Sequence, residues 1–245
     1  MENMYVESKL IRTSNCDFTG HWRPSSILAQ MQELAGTHAH LLGCGREPML
    51  EKGIVWVLSR TEVHMDRYPA VGETVRMETF PMKNRRWFFP RYFLFYDEAG
   101  EVIGKASTLW VLMDVVERKM AAPDTILGMI PDNESLTAPL PFPGNIAVLE
   151  GESRSFSYTP TNTDIDVNMH MNNTKYADVL CNALTLQDLE ENEMAQMLIH
   201  YHKEVLPGTE LTLHLERAED RARLSGFHGE EKHFDMGVVL RKRGQ

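Results

Sequence analysis

The sequence predicts an α+β fold built twice over, each half an antiparallel sheet wrapped around a central helix. Three observations carry that expectation. An amphipathic helical period occurs once in each half, ahead of a run of strand-like segments. Those segments follow one another through short turns with no helix between them, which is the pattern of antiparallel pairing; a parallel sheet needs a crossover after nearly every strand. The order of elements in the second half repeats that of the first, across a proline-rich interval.

Taken in order, a strand near Tyr5 to Thr13 is followed by a helix from about Pro24 to Leu42, with Ile27, Met31, Leu34, Ala35, His38 and Leu42 on one face. Pro24 near its start and Gly43 just past its end are the expected punctuation. Strands follow at Ile54 to Asp66, Glu73 to Phe80, Trp87 to Asp97 and Glu101 to Met113, the last two forming a hairpin about Glu98, Ala99 and Gly100. Pro90 is expected to mark a bulge or a sheet edge in the third of these. From Val115 to about Glu150 the periodicity lapses, and five of the twelve prolines fall there: Pro123, Pro131, Pro139, Pro141 and Pro143. The second half offers a strand at Ser153 to Thr159, a helix from Asn173 to about Leu186, strands at Ala195 to Val205 and Thr209 to Glu216, and a hairpin of Arg221 to Phe227 with Lys232 to Leu240. The boundaries read from this are a first domain over 1–115, a linker over 116–150 and a second domain over 151–245. A sheet wrapped around one apolar helix, twice in one chain, is the tandem (double) hot-dog fold.

Composition narrows the function. A net charge of −10 argues against general affinity for nucleic acid or anionic membranes, which demand a basic face. No run of roughly 18 apolar residues exists to span a bilayer. The residues from Met1 to Leu10 carry no basic lead and no apolar signal region, so a cytoplasmic protein is expected. Cys16, Cys44 and Cys181 are odd in number and lack metal-ligand spacing, which fits free thiols in a reducing compartment.

The chemistry concentrates between Thr163 and Tyr176. Asp166, Asn168 and His170 alternate with Val167, Met169 and Met171, so an extended backbone would align the three polar groups on one side. From Tyr176 the period becomes helical through Val179, Leu180, Ala183 and Leu184, with Asn172 or Asn173 as the cap. A carboxylate, a carboxamide and an imidazole are thus delivered to a helix start, where N–H groups and the dipole favour a developing oxyanion. Acyl transfer uses that combination. The same residue types also occur in loops that only cap helices. A partial echo, Asp17-x-x-x-His21, precedes the first helix, with Thr19 where the second half has Asn168.

Asp-x-Asn-x-His-x-Asn-Asn-x-Lys-Tyr, as it stands from Asp166 to Tyr176, resembles the signature of the acyl-acyl carrier protein thioesterases. Ile54 to Arg60, Asp66 to Glu73, Arg85-Arg86-Trp87 and Ala106 to Trp110 are similar to blocks of that family's N-terminal half, in the same order. The resemblance implies hydrolysis of a fatty acyl thioester, an N-terminal hot dog that shapes the acyl pocket, and Asp166, Asn168 and His170 as catalytic residues. It also implies Glu204 as a second catalytic carboxylate, within His200 to Val205. Val205 stands where the plant enzymes have a cysteine, so no thiol mechanism is available at that position.

A regular strand over Ala195 to Val205 would turn Glu204 away from Met197, Ile199 and Tyr201, together with His200 and His202. Either a bulge re-aims Glu204 or the site lies on that other face. His200, His202 and Glu204 also have chelating spacing, although neither a metal nor a cofactor is expected.

The expected partner is acyl carrier protein bearing a fatty acyl chain on 4′-phosphopantetheine. Docking of an acidic carrier on an acidic chain calls for a local basic patch. Lys83, Arg85 and Arg86, running into Trp87 and Phe88, are the leading candidate, with Arg91 nearby and the 241–243 run as the alternative. Competing readings are an acyl-coenzyme A thioesterase and a non-catalytic acyl-binding protein. A hot-dog dehydratase would be expected to carry an Asn-Pro that Asn168-Met169 does not supply. Monomer and homodimer both remain open.

Overall fold

The computed structural model describes residues 3–126 and 128–244. Two compact units emerge, one made of residues up to 22 and from 29 to 143, the other of residues 23–28 and from 144 onward. The proline-rich interval is therefore shared between the two units.

The first unit contains β1 (Tyr5–Leu10), β2 (Ile54–Met65), β3 (Thr74–Pro81), β4 (Phe89–Tyr96) and β5 (Val102–Asp114), with a short α2 (Arg46–Glu51) before β2 and all of α1 (Pro24–Leu41) except its first residues, up to Leu28, which fall in the second unit. Its strands lie in the order β1-β3-β4-β5-β2, every pair antiparallel. The second unit has β6 (Glu152–Tyr158), α3 (Lys175–Ala183), α4 (Leu186–Glu191), β7 (Asn192–Tyr201), β8 (Leu211–Ala218), β9 (Arg221–His228) and β10 (Glu231–Lys242). Its order, β6-β8-β9-β10-β7, is the same topology. In each copy the strand before the helix pairs with the second strand after it.

The helix faces predicted from period 3.6 are the buried ones. Ile27, Met31, Leu34, Ala35, His38 and Leu42 are buried in the first half, and Tyr176, Val179, Leu180, Ala183 and Leu184 in the second. Burying a large apolar side chain contributes about 1.5–3 kcal/mol, so each stripe outweighs any single hydrogen bond at the helix ends. Two short helices were not expected. α4 begins at a capping box, with the Asp188 N–H donating to Thr185 Oγ1 and the Thr185 N–H to the Asp188 carboxylate. The helix expected from Asn173 to about Leu186 therefore ends at Ala183, and α4 begins where it was expected to stop.

Pro90 corrects another expectation. β4 is flanked by β3 and β5, so it is no edge, and the register shift in its pairing with β5 lies at Phe95/Tyr96. Pro90 sits next to the strand's first residue, one position outside the pairing with β3, where its missing N–H breaks no ladder bond. Arg91, read above as part of a basic patch, is instead buried. Its Nη1 donates to His38 Nδ1 at 3.0 Å and to Thr79 Oγ1 at 3.2 Å, and burial pushes the guanidinium down to about 10. Beyond β5 the chain is pinned by the buried Asn133, whose Nδ2 donates to the carbonyls of Asn3 and Pro81, both at 2.7 Å.

Close packing leaves one strand position without room. Gly226 pairs with Phe234, and a Cβ there would lie 2.1 Å from Phe234 Cε1. Phe234 is fully buried and meets Tyr176 edge-on at 4.8 Å. Gly226→Ala is expected to cost about 1–3 kcal/mol of stability by displacing that ring; urea unfolding at parental stability would contradict the packing described.

Candidate active site

The segment carrying Asp166, Asn168 and His170 is a tight turn, and the expectation of an extended row is overturned. The chain reverses on itself: the Asp166 N–H donates to the His170 carbonyl at 3.0 Å, and the Met169 N–H to the Asp166 carbonyl at 3.0 Å. Asp166 Oδ1 accepts the Asn168 N–H at 2.8 Å, an Asx turn that competes successfully with strand formation over so short a segment. Met169 takes the left-handed conformation, φ 62°. Asp166 and His170 thus come together across the turn, with Asp166 Oδ1 3.8 Å from His170 Nδ1. That separation is an ion-pair distance, longer than a hydrogen bond. Asn168 lies exposed at the tip, and Val167 and Met169 are exposed too, whereas Met171 is buried.

The same turn recurs before α1. The Asp17 N–H donates to the His21 carbonyl at 2.9 Å, the Gly20 N–H to the Asp17 carbonyl at 3.0 Å and the Thr19 N–H to Asp17 Oδ1 at 2.9 Å. Residue for residue the two turns stand 149 apart, Asp17 to Asp166 and His21 to His170. Their interiors differ. Thr19 Oγ1 lies 2.6 Å from Asp17 Oδ1 and 3.1 Å from His21 Nδ1, so a hydroxyl fills the space between carboxylate and imidazole. The equivalent residue of the second turn, Asn168, is exposed.

Regular strand alternation stops short of Glu204. β7 ends at Tyr201, and the N–H groups of His202 and Lys203 both donate to the His233 carbonyl, at 2.9 and 3.0 Å. Two residues opposite one interrupt the period-two alternation. Immediately after Glu204, the buried Val205 offers its carbonyl to the Met171 N–H at 2.8 Å. Glu204 and His170 are therefore the residues next to the two ends of one backbone hydrogen bond. His200 and His202 take other partners: His200 Nε2 lies 2.8 Å from the Gly144 carbonyl, and His202 Nε2 3.2 Å from Asp235 Oδ2. Among the described residues no group of three or more His, Cys, Asp or Glu is arranged to hold a metal ion.

The helix start, with Thr174 at the N-cap position, is anchored by the expected Asn172 and by Tyr201, which pattern reading did not place there. Asn172 Oδ1 accepts the Thr174 N–H at 2.9 Å, and the Asn172 carbonyl accepts the Lys175 N–H at 2.9 Å, so those two donors are committed to the cap. Tyr201 donates its hydroxyl to the Asn173 carbonyl at 3.0 Å and meets Tyr176 edge-on at 5.2 Å. Burial, and secondarily the Asp166 carboxylate, hold the Tyr176 phenol above its ordinary range, so it stays neutral. On the approach to the turn, Asp164 accepts from Thr161 and Tyr158. Burial alone would push Asp164 up, but those hydrogen bonds and the Lys175 ammonium hold it below the usual carboxylate range.

Comparison with known proteins bears on this geometry. Residues 2–127 match the acyl-ACP thioesterase N-terminal domain and residues 149–244 the acyl-ACP thioesterase C-terminal domain. The chain belongs to the acyl-ACP thioesterase family. A chloroplastic acyl-[acyl-carrier-protein] hydrolase of Cuphea viscosissima is 27% identical over 199 residues, covering 73% of this chain and 47% of that protein. The chain thus spans about half the length of such plant relatives. An acyl-ACP thioesterase structure from Bacteroides thetaiotaomicron superposes with a TM-score of 0.87 at 22% identity, covering 98% of both chains. The 12:0-ACP thioesterase of Umbellularia californica gives 0.85 at 21%, covering 99% of both. At those identities the structural likeness shows the fold.

In this acyl-ACP thioesterase homologue the basic turn of the first unit is exposed. Arg85 and Phe88 exchange backbone hydrogen bonds at 2.8 and 3.1 Å, and Arg86, Trp87 and Phe88 stand out at its tip. Lys83 lies 3.5 Å from Asp132 and 3.8 Å from Glu134, so acidic neighbours offset its charge, while the Arg85 guanidinium sits 5.0 Å over the Phe142 ring. The C-terminal run is tied down, Arg241 to Glu193 and Lys242 to Glu191.

The turn comparison yields a test. Gly20, the counterpart of Met169, has φ 78°. A β-branched side chain is strained there by about 1–3 kcal/mol. Met169→Val is expected to lose stability on that scale and Met169→Gly to lose none; urea unfolding reads both, and indistinguishable variants would contradict the strained turn.

Proposed function

We propose that this protein hydrolyses the thioester of fatty acyl groups carried on acyl carrier protein, releasing the free fatty acid. The observation that carries the reading is the Asp166–His170 pair held across a tight turn whose next residue is hydrogen-bonded beside Glu204. Membership of the acyl-ACP thioesterase family supports the substrate class. Asp166, fixed by the Asn168 N–H, orients the imidazole. Glu204 takes a proton from water as the resulting hydroxide attacks the thioester carbon, and His170 hands a proton to the departing thiolate. The exposed carboxamide of Asn168 and the electropositive start of α3, led in by Asn172 and Asn173, stabilise the oxyanion. No cofactor enters these steps.

The deciding assay presents one acyl chain on acyl carrier protein and on coenzyme A. Higher kcat/KM on the carrier protein is expected. Preference for coenzyme A would reassign the substrate, and no release from either would make the protein an acyl binder. His170→Ala and Asp166→Ala should each lower turnover by about two orders of magnitude or more while remaining folded, as for loss of a positioned acid or base. Near-parental activity in either soluble variant would sink the site assignment.

Lys83, Arg85 and Arg86 are the proposed docking residues for the acidic carrier, with Arg86 the least compensated. Among the described residues Arg86 has no ion-pair partner. Reversing Arg85 and Arg86 to Glu should raise KM for the carrier-bound substrate, most clearly at low ionic strength, and leave a small uncharged thioester unaffected. An equal loss on both substrates would point to damaged catalysis, and no loss on either would remove the turn from the docking surface.

A further inference from the structure

His233 contacts three consecutive residues ending at Glu204, and no step of the mechanism uses it. Its carbonyl accepts the N–H groups of both His202 and Lys203, and its Nδ1 lies 3.0 Å from the Glu204 carbonyl. A carbonyl only accepts, so the imidazole donates there through Nδ1–H. In the ladder with β9, Lys232 pairs with Phe227 and Phe234 with Gly226, which makes His233 the unpaired residue of a register shift. Irregularities thus meet from both sides at this side chain. His233 is 4% exposed, and its Nε2 is buried without a hydrogen-bond partner. Burial holds the imidazole below its ordinary pKa, so the neutral ring carries its hydrogen on Nδ1.

Leaving a buried ring nitrogen unsatisfied costs stability. An apolar residue would avoid that cost but would release the Glu204 carbonyl. The next carbonyl, that of Val205, is held by Met171. The two anchors bracket the Glu204–Val205 peptide, and only the His233 bond is made by a side chain that substitution can remove.

We propose that His233 is the positioning residue for Glu204, fixing through its Nδ1–H the main chain from which that carboxylate is presented beside His170. The proposal rests on the catalytic role given to Glu204 above. Asn places a donor near the Nδ1 position, Gln carries its amide farther out, and Leu has none. His233→Leu should lower kcat by about 10- to 100-fold, the scale of a small misplacement of a reacting group, with KM within about twofold. His233→Asn should restore most of the loss and His233→Gln little of it. In a Glu204→Ala background His233→Leu should produce no further loss, because positioning residue and target act as a unit. Kinetics of the single and double variants, normalised to folded protein by circular dichroism, measure this. The same fold-loss from His233→Leu in both backgrounds, or equal activity of the Asn and Gln variants, would overturn the positioning role. The Asn and Gln comparison decides the matter even if the Leu variant does not fold. A fully active Glu204→Ala would overturn the role of Glu204 itself, and that of His233 with it.

Discussion

One backbone hydrogen bond, from the Met171 N–H to the Val205 carbonyl, ties the Asp166–His170 turn to the segment that follows β7. Without it the Asp–His turn is a surface loop and the bulged end of β7 is a separate strand end. A single such bond contributes only about 0.5–1.5 kcal/mol net. What secures it is burial, since Met171 is 1% exposed and Val205 0%, and two large apolar side chains together outweigh the bond several times over. The apolar residues of the motif are therefore as necessary to the site as the polar ones. They clamp the polar turn onto the sheet.

The first unit has the same clamp, from the Trp22 N–H to the Pro69 carbonyl at 2.8 Å, and the same turn ahead of it. Conservation of the clamp with divergence of the turn separates architecture from chemistry. Thr19 bridges Asp17 and His21 with its own hydroxyl, and Gly20 adopts its left-handed conformation without steric cost. In the second turn an exposed carboxamide and a strained methionine occupy those positions. The second turn departs from the relaxed form where Asp166 and His170 face each other.

Polar groups away from the turn serve the frame. Asp235, on β10 opposite His200 of β7, is an acceptor for Arg223, Ser225, Lys232 and His202. Burial would push its carboxyl up, but donors including Lys232, Ser225 and His202 hold it below the usual range. Through His202 it also steadies the residue at which the bulge begins. Arg91 plays the matching part in the first unit, donating to His38 and Thr79. Burial makes the guanidinium costly to keep charged and holds its pKa below the ordinary value.

The periodic parts of the protein were determined by the sequence alone. Both long helices, their buried faces, the strands and the duplicated order follow from periods of 3.6 and 2, because burial acts on every residue of an element and leaves its mark along the whole segment. The candidate residues Asp166, Asn168 and His170 stand out for the same local reason, since they lie within five positions of one another. Their arrangement was not legible. A short alternation fits a strand and a tight turn equally well, and the backbone bonds within the turn decided for the turn. The backbone carbonyl of Glu204 is held by His233, 29 residues further along, and a bulge is defined by the residue opposite it, which no local pattern contains. Arg91 read as a surface charge for a comparable reason: only the helix folding over β4 brings His38 to it and turns a cation in a basic run into part of the core.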